Sequence, residues 1–140
     1  MDYTAIGDNV NLAARLEGVN KIYKTQIMMS ESTYDLIKDT FLCRELDRLR
    51  VKGKTEPTSV YELIDENTEE ARRNNAWIEE YAHALEFYRN ANWNKAIDIF
   101  ERLSQNPAND KVSGVMLERC KKFKHEVPKD WDGIFTLEVK

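Results

Sequence analysis

At Asp65-Glu66-Asn67 the apolar pattern of this chain changes period, and that break constrains its fold more than any other feature. Before it, runs at the two-residue spacing of strands alternate with runs at helical spacing. After it, from Thr68 to Phe123, the spacing is helical with no strand signal, interrupted once at Asn106-Pro107-Ala108-Asn109. The first part predicts strands at Asp2–Ile6, Thr25–Met29, Phe41–Val51 and Ser59–Ile64. It also predicts a helix from an Asp8 cap that ends near Gly18 to Tyr23, and a short one opened by Ser30 with Tyr34, Leu36 and Ile37 as its apolar side. In the second part Trp77, Tyr81, Leu85 and Tyr88 share one helix face, and Trp93, Ala96, Ile97, Phe100 and Leu103 another. Val115, Leu117 and Phe123 mark a third helix closed by Pro128, and Trp131 to Val139 reads as a loop and a short strand. The expected class is α+β, with residues 1–65 as one unit and 66–140 as a small helical unit.

Composition removes several functional classes. The 140 residues are 41% hydrophobic and 10% aromatic, enough for a core, while 33% are charged. With a mean hydropathy of −0.66, the chain reads as soluble. No run approaches the ~18 apolar residues of a membrane helix, and Met1-Asp2-Tyr3 opens no signal peptide. A cytoplasmic protein without direct membrane insertion is expected, any membrane attachment lying in upstream segments. The net charge is −4 and neither part has a basic excess, which argues against a nucleic-acid partner. Cys43 and Cys120 are too few and too far apart for a disulfide framework or a zinc site, and read as free thiols.

Two constellations suit phosphate. Asn11 and Arg15 lie four apart on the predicted helix, so an amide and a permanently charged guanidinium share one face near the helix N-terminus. A capping Asn11 and a solvating Arg15 would satisfy the same spacing. Arg48, Arg50, Lys52 and Lys54 alternate along a predicted strand, with Leu49 and Val51 on its other side. These four cations either meet an anion or form a charged edge that discourages aggregation.

The run from Asp2 to Glu17 (DYTAIGDNVNLAARLE) resembles the signature of class III nucleotidyl cyclases. Val51-Lys52-Gly53-Lys54, followed by Pro57 and Val60-Tyr61-Glu62, is similar to that family's C-terminal strand motif, at the expected distance. The resemblance covers about residues 2–65 and implies the C-terminal half of a ferredoxin-like catalytic sheet. It implies that Asn11 and Arg15 stabilise the transition state as the ribose 3′-hydroxyl attacks the α-phosphate. It likewise assigns Lys52 to the terminal phosphates and Thr4 to the purine, where a hydroxyl in bacterial members goes with adenine. The family's two divalent ions, Mg2+ or Mn2+, sit on a pair of aspartates from the first strands of the domain, and its site forms between two subunits. Asp2 and Asp8 belong to the signature and are not those ligands, so no metal ligand and no bound cofactor is expected in this chain alone. The expectation is therefore part of an adenylate cyclase acting on ATP, pairing as a homodimer or with the remaining catalytic half, and inactive by itself.

Beyond residue 65, Ala84, Phe87, Ala96 and Phe100 resemble the small-and-aromatic pattern of a tetratricopeptide repeat, with Pro107 one place early. A single such hairpin cannot bury its own faces and must pack on something. A non-enzymatic interaction module built on this part is the rival reading. Trp77, Trp93 and Trp131 read as core anchors, and neither His83 nor His125 has a ligand partner at motif spacing.

Overall fold

The computed structural model of the chain describes residues 22–25, 27–51 and 56–137, with the Val51 side chain left aside. The predicted strand Asp2–Ile6 and nearly all of the helix from Asp8 lie outside this range. Among the described residues the chain runs β1 (Met28–Ser30), α1 (Glu31–Ile37), β2 (Phe41–Val51) and β3 (Thr58–Glu66). It continues as α2 (Glu69–Asn74), α3 (Trp77–Arg89), α4 (Trp93–Ser104), α5 (Lys111–His125) and β4 (Phe135–Leu137). The strands form one mixed sheet in the order β1-β3-β2-β4. β1 and β2 flank β3 antiparallel, and β4 lies parallel to β2. The α+β class is as the sequence predicted.

Local chemistry sets the helix starts. The Ser30, Thr68 and Asp110 side chains accept from the backbone N–H groups of Thr33, Ala71 and Ser113, each satisfying a donor that a helix N-terminus leaves free. Two details depart from the sequence reading. The strand expected at Thr25–Met29 is shifted to Met28–Ser30, so that Ser30 both ends the strand and caps α1. Leu36, expected on the apolar side of α1, is 86% exposed, and Tyr34 makes the contact instead by stacking on Tyr61 at 3.9 Å. A helix of seven residues offers too few turns to bury a full stripe.

The strands and the helices share one core. Leu46, Leu49 and Val60 of the sheet are buried in the same cluster as Tyr81, Leu85 and Tyr88 of α3, Phe100 and Leu103 of α4, and Met116 and Cys120 of α5. Tyr88, Trp93, Phe123 and Trp131 meet edge to face with centroids 5.2 to 5.9 Å apart. The tail reaches the sheet through Gly133, whose φ is +84° and whose absent Cβ would stand 3.2 Å from the Arg89 Cβ and carbonyl oxygen. The Trp131 indole N–H donates to that same carbonyl at 3.1 Å. β4 then pairs Phe135, Thr136 and Leu137 with Leu49, Arg50 and Val51. β4, near the C-terminal end of the described chain, thus forms the edge of the sheet beside β2, with β1 at the opposite edge.

Candidate nucleotide site

β2 carries the geometry that matters around the site. Its register against β3 slips between Glu45 and Asp47, leaving Leu46 as the extra residue of a β-bulge. The slip moves the inward set from Arg44 and Leu46 to Asp47 and Leu49, and all four are buried. The Tyr81 hydroxyl donates to the Leu46 carbonyl at 2.7 Å, satisfying the backbone at the bulge. Two side chains of opposite charge therefore point under the helices from a strand that reads as alternating.

Each finds its partner beyond residue 65. The Arg44 guanidinium donates to both Asp110 carboxylate oxygens at 2.6 and 2.8 Å, and pairs with Glu62 at 2.7 Å. It also lies 4.8 and 4.6 Å from the ring centroids of Trp77 and Tyr81. Burial raises the pKa of the Asp110 carboxyl, but the Arg44 hydrogen bonds and charge outweigh it and hold the group below its ordinary value. Glu62 goes the other way: burial raises its pKa, and Arg44 only partly offsets that.

Asp47, fully buried, accepts from Arg119 Nη1 at 2.6 Å and from the Tyr23 hydroxyl at 2.6 Å. Its other oxygen accepts from the Arg48 backbone N–H at 2.8 Å. Arg119 Nη2 donates to the Tyr23 hydroxyl at 3.1 Å, Nη1 donates to Tyr88 at 3.3 Å, and the guanidinium stands 3.7 Å from the Phe135 ring centroid. Burial first, then the Asp47 carboxylate, push the Tyr23 phenol well above its ordinary pKa, so it stays a neutral donor. Burial disfavours the Arg119 charge, yet Tyr23 and Asp47 outweigh this and keep it protonated.

Of the residues the sequence singled out, Thr4, Asn11, Arg15 and Lys52 lie outside the described residues. What is described are their flanks. Ile22 and Tyr23 are helical and Lys24 turns out at φ +58°. β2 leads to Val51, one residue before Lys52. Of the alternating cations, Arg48 is exposed and Arg50 pairs with Asp132 at 2.7 Å. Among the described residues no group of His, Cys, Asp and Glu could hold a metal ion, and no helix is long and apolar enough to cross a membrane. Sequence reasoning missed Arg44, Asp47 and Arg119. Their signal was a charge at an apolar position: Arg119 lies three residues after Met116 and four before Phe123, on the stripe that α5 buries.

The family comparison falls on the same division of the chain. Residues 1–65 match the family model described as "Adenylate and Guanylate cyclase catalytic domain", which supports a class III cyclase catalytic domain in this part of the sequence. Among curated proteins the chain is 33% identical over 127 residues to "Adenylate cyclase, terminal-differentiation specific" of Dictyostelium discoideum, covering 86% of this chain and 6% of that protein. It is 39% identical over 64 residues to "Adenylate cyclase 1" of Rhizobium meliloti, covering 46% of this chain and 10% of the relative. To "Adenylate cyclase" of Anabaena cylindrica it is 41% identical over 66 residues, covering 45% and 13% respectively. The chain thus spans a small part of each relative's length. The Dictyostelium match is too long to stop at residue 65 and takes in the helical part as well. No solved structure matches the chain significantly.

Proposed function

We propose that the chain is part of a class III adenylate cyclase that converts ATP to 3′,5′-cyclic AMP and pyrophosphate in intracellular signalling. The observation that carries this is the match of residues 1–65, which holds both the Asp2–Glu17 signature and the Lys52-Gly53-Lys54 motif in order. In this reading the 3′-oxygen bonds to the α-phosphorus while the bond to the bridging oxygen breaks and pyrophosphate leaves. Such a transfer is accelerated by positioning and by charge placed where the phosphates develop it. Arg15 supplies a fixed guanidinium and Asn11 a neutral donor at the reacting phosphate, while Lys52 neutralises the terminal phosphates. The Thr4 hydroxyl accepts from the adenine amine.

In this reading the Mg2+ or Mn2+ that the reaction class uses is held by a pair of aspartates other than Asp2 and Asp8 of the signature. The 140-residue chain alone accordingly has negligible activity, and the site is completed by pairing, with a second copy or with the metal-binding half. The helical part packs on the strands: buried residues of its three longer helices share one core with Leu46, Leu49 and Val60 of the sheet. That packing favours the cyclase reading over a free-standing interaction module.

The test is an ATP titration of the chain followed by Trp fluorescence or calorimetry. Weak binding lost in both Arg15→Ala and Lys52→Ala is expected, and equal affinity in the wild type and both variants would remove the phosphate-site assignment. Metal-dependent cyclic AMP formation by the purified chain would overturn the placement of the metal ligands elsewhere.

A further inference from the structure

We propose that β4 is a strap: it covers Arg119, and through that guanidinium its lifting is coupled to release of the segment at Tyr23. Arg119 ties together elements distant in sequence. Its Nη2 donates to the Tyr23 hydroxyl at 3.1 Å, and its Nη1 to Asp47 at 2.6 Å and to the Tyr88 hydroxyl at 3.3 Å. Tyr23 in turn donates to Asp47 at 2.6 Å, and both are fully buried. The guanidinium carbon lies 3.7 Å from the ring centroid of Phe135 on β4, so that ring is its cover.

The cover is lightly held. β4 is three residues long and pairs parallel with β2 at an edge of the sheet. Leu137 is buried, but Phe135 is only half-buried and Thr136 is exposed. A cleft of about 180 Å3 opens beside the strand, lined by Phe123, Trp131 and Phe135 among others, so packing there is incomplete. The loop leading to β4 holds Asp130 at φ +56° and Gly133 at φ +84°, and the first of these is a left-handed conformation that costs a residue with a Cβ. Its ion pair, Asp132 with Arg50, is part-exposed and contributes little. In α4, by contrast, Ala96, Phe100 and Leu103 are buried. A short edge element of this kind opens well below the free energy of global unfolding.

Lifting has a defined consequence. Beneath the Phe135 ring, the bonds from Arg119 to Tyr23 and Asp47 act in a low-dielectric interior, where they are strong. With the ring gone, water reaches the guanidinium and competes with both acceptors, and a hydrated pair holds weakly. The grip on Tyr23 therefore falls as β4 lifts. Linkage requires the converse: without the Tyr23 hydroxyl, Arg119 has one acceptor fewer and gains more from water, so β4 opens more readily. A partner that captures the lifted strand thereby loosens Tyr23 without touching it.

The experiment follows native-state amide exchange in the full chain at residues 23–25, at β4 and, as the reference for global opening, at α4. Phe135→Leu removes the ring and keeps an apolar side chain in its place; Tyr23→Phe removes only a hydroxyl. Phe135→Leu is expected to quicken exchange at residues 23–25 about fivefold, and Tyr23→Phe to quicken β4 by the same factor, with α4 unchanged. Arg119→Lys keeps the charge but not the two-armed reach, and in that background the response of residues 23–25 to Phe135→Leu should vanish. A response confined to the substituted segment, or α4 quickening in step with the others, overturns the proposal. So does a response that survives Arg119→Lys, because the coupling then does not pass through Arg119. No nucleotide enters the assay, so its outcome is independent of the cyclase reading.

Discussion

Asp110→Asn isolates one half of the contact between the sheet and the helices. The substitution removes a charge from a buried pair whose side chains are 3% and 7% exposed, while Asn can still cap α5. Removing one partner of a buried ion pair costs about 3–5 kcal/mol when the other charge is left alone. Arg44 is not left alone: Glu62 stays 2.7 Å away and the Trp77 and Tyr81 rings flank it, so the expected loss is nearer 2 kcal/mol. Asp110→Ala also deletes the cap on Ser113 and should lose about 1 kcal/mol more. In a urea titration with a slope of about 2 kcal/mol/M, the midpoints fall by about 1 M and 1.5 M. Trp77 beside Arg44 makes fluorescence a local probe as well as a global one. The sign with pH follows from the lowered pKa. The Asp110 contribution is complete above the ordinary carboxylate pKa and is lost as pH falls through the depressed folded value, and this loss should be missing in Asp110→Asn. A midpoint for Asp110→Asn within about 0.2 M of the wild type would refute the view that this pair is desolvated and coupled.

Three further outcomes are expected. Burial pushes the Cys120 thiol up to about 12 and raises that of the half-buried Cys43, so iodoacetamide at pH 8 should label Cys43 slowly and Cys120 only on unfolding, as read by peptide mass. Gly133→Ala forces a Cβ against the Arg89 backbone at positive φ and should lower the thermal midpoint by about 5 °C; an unchanged melt would show that the tail can lift off α3 without cost. Arg50→Ala breaks a part-exposed pair with Asp132 and should lose less than about 1 kcal/mol in the same urea assay.

Much of this was legible in the residues. The change of period at Asp65 separates the strands from the helices, and the apolar stripes of Tyr81, Leu85 and Tyr88 and of Trp93, Ala96, Phe100 and Leu103 name the faces that are buried. Ser30 marks a helix start because a short polar side chain can satisfy a free N–H one turn on. The candidate site was legible only as a motif: Thr4, Asn11, Arg15 and Lys52 are singled out by the resemblance of their segments to a family signature.

The partners of Arg44, Asp47 and Arg119 were not legible. A charge on an apolar stripe tells that something must meet it, since leaving it bare in a low-dielectric core is too costly. It does not tell what. The answer lies 66 residues away for Arg44 and 72 for Asp47, and the second depends on a bulge at Leu46 that turns Asp47 inward. So the sequence alone determined most of the elements and their buried faces, because these are local properties of the chain. Only the tertiary structure decided that the tail joins the sheet beside β2 and that α5 holds both Tyr23 and Asp47, because pairing of distant charges is a property of the packed core.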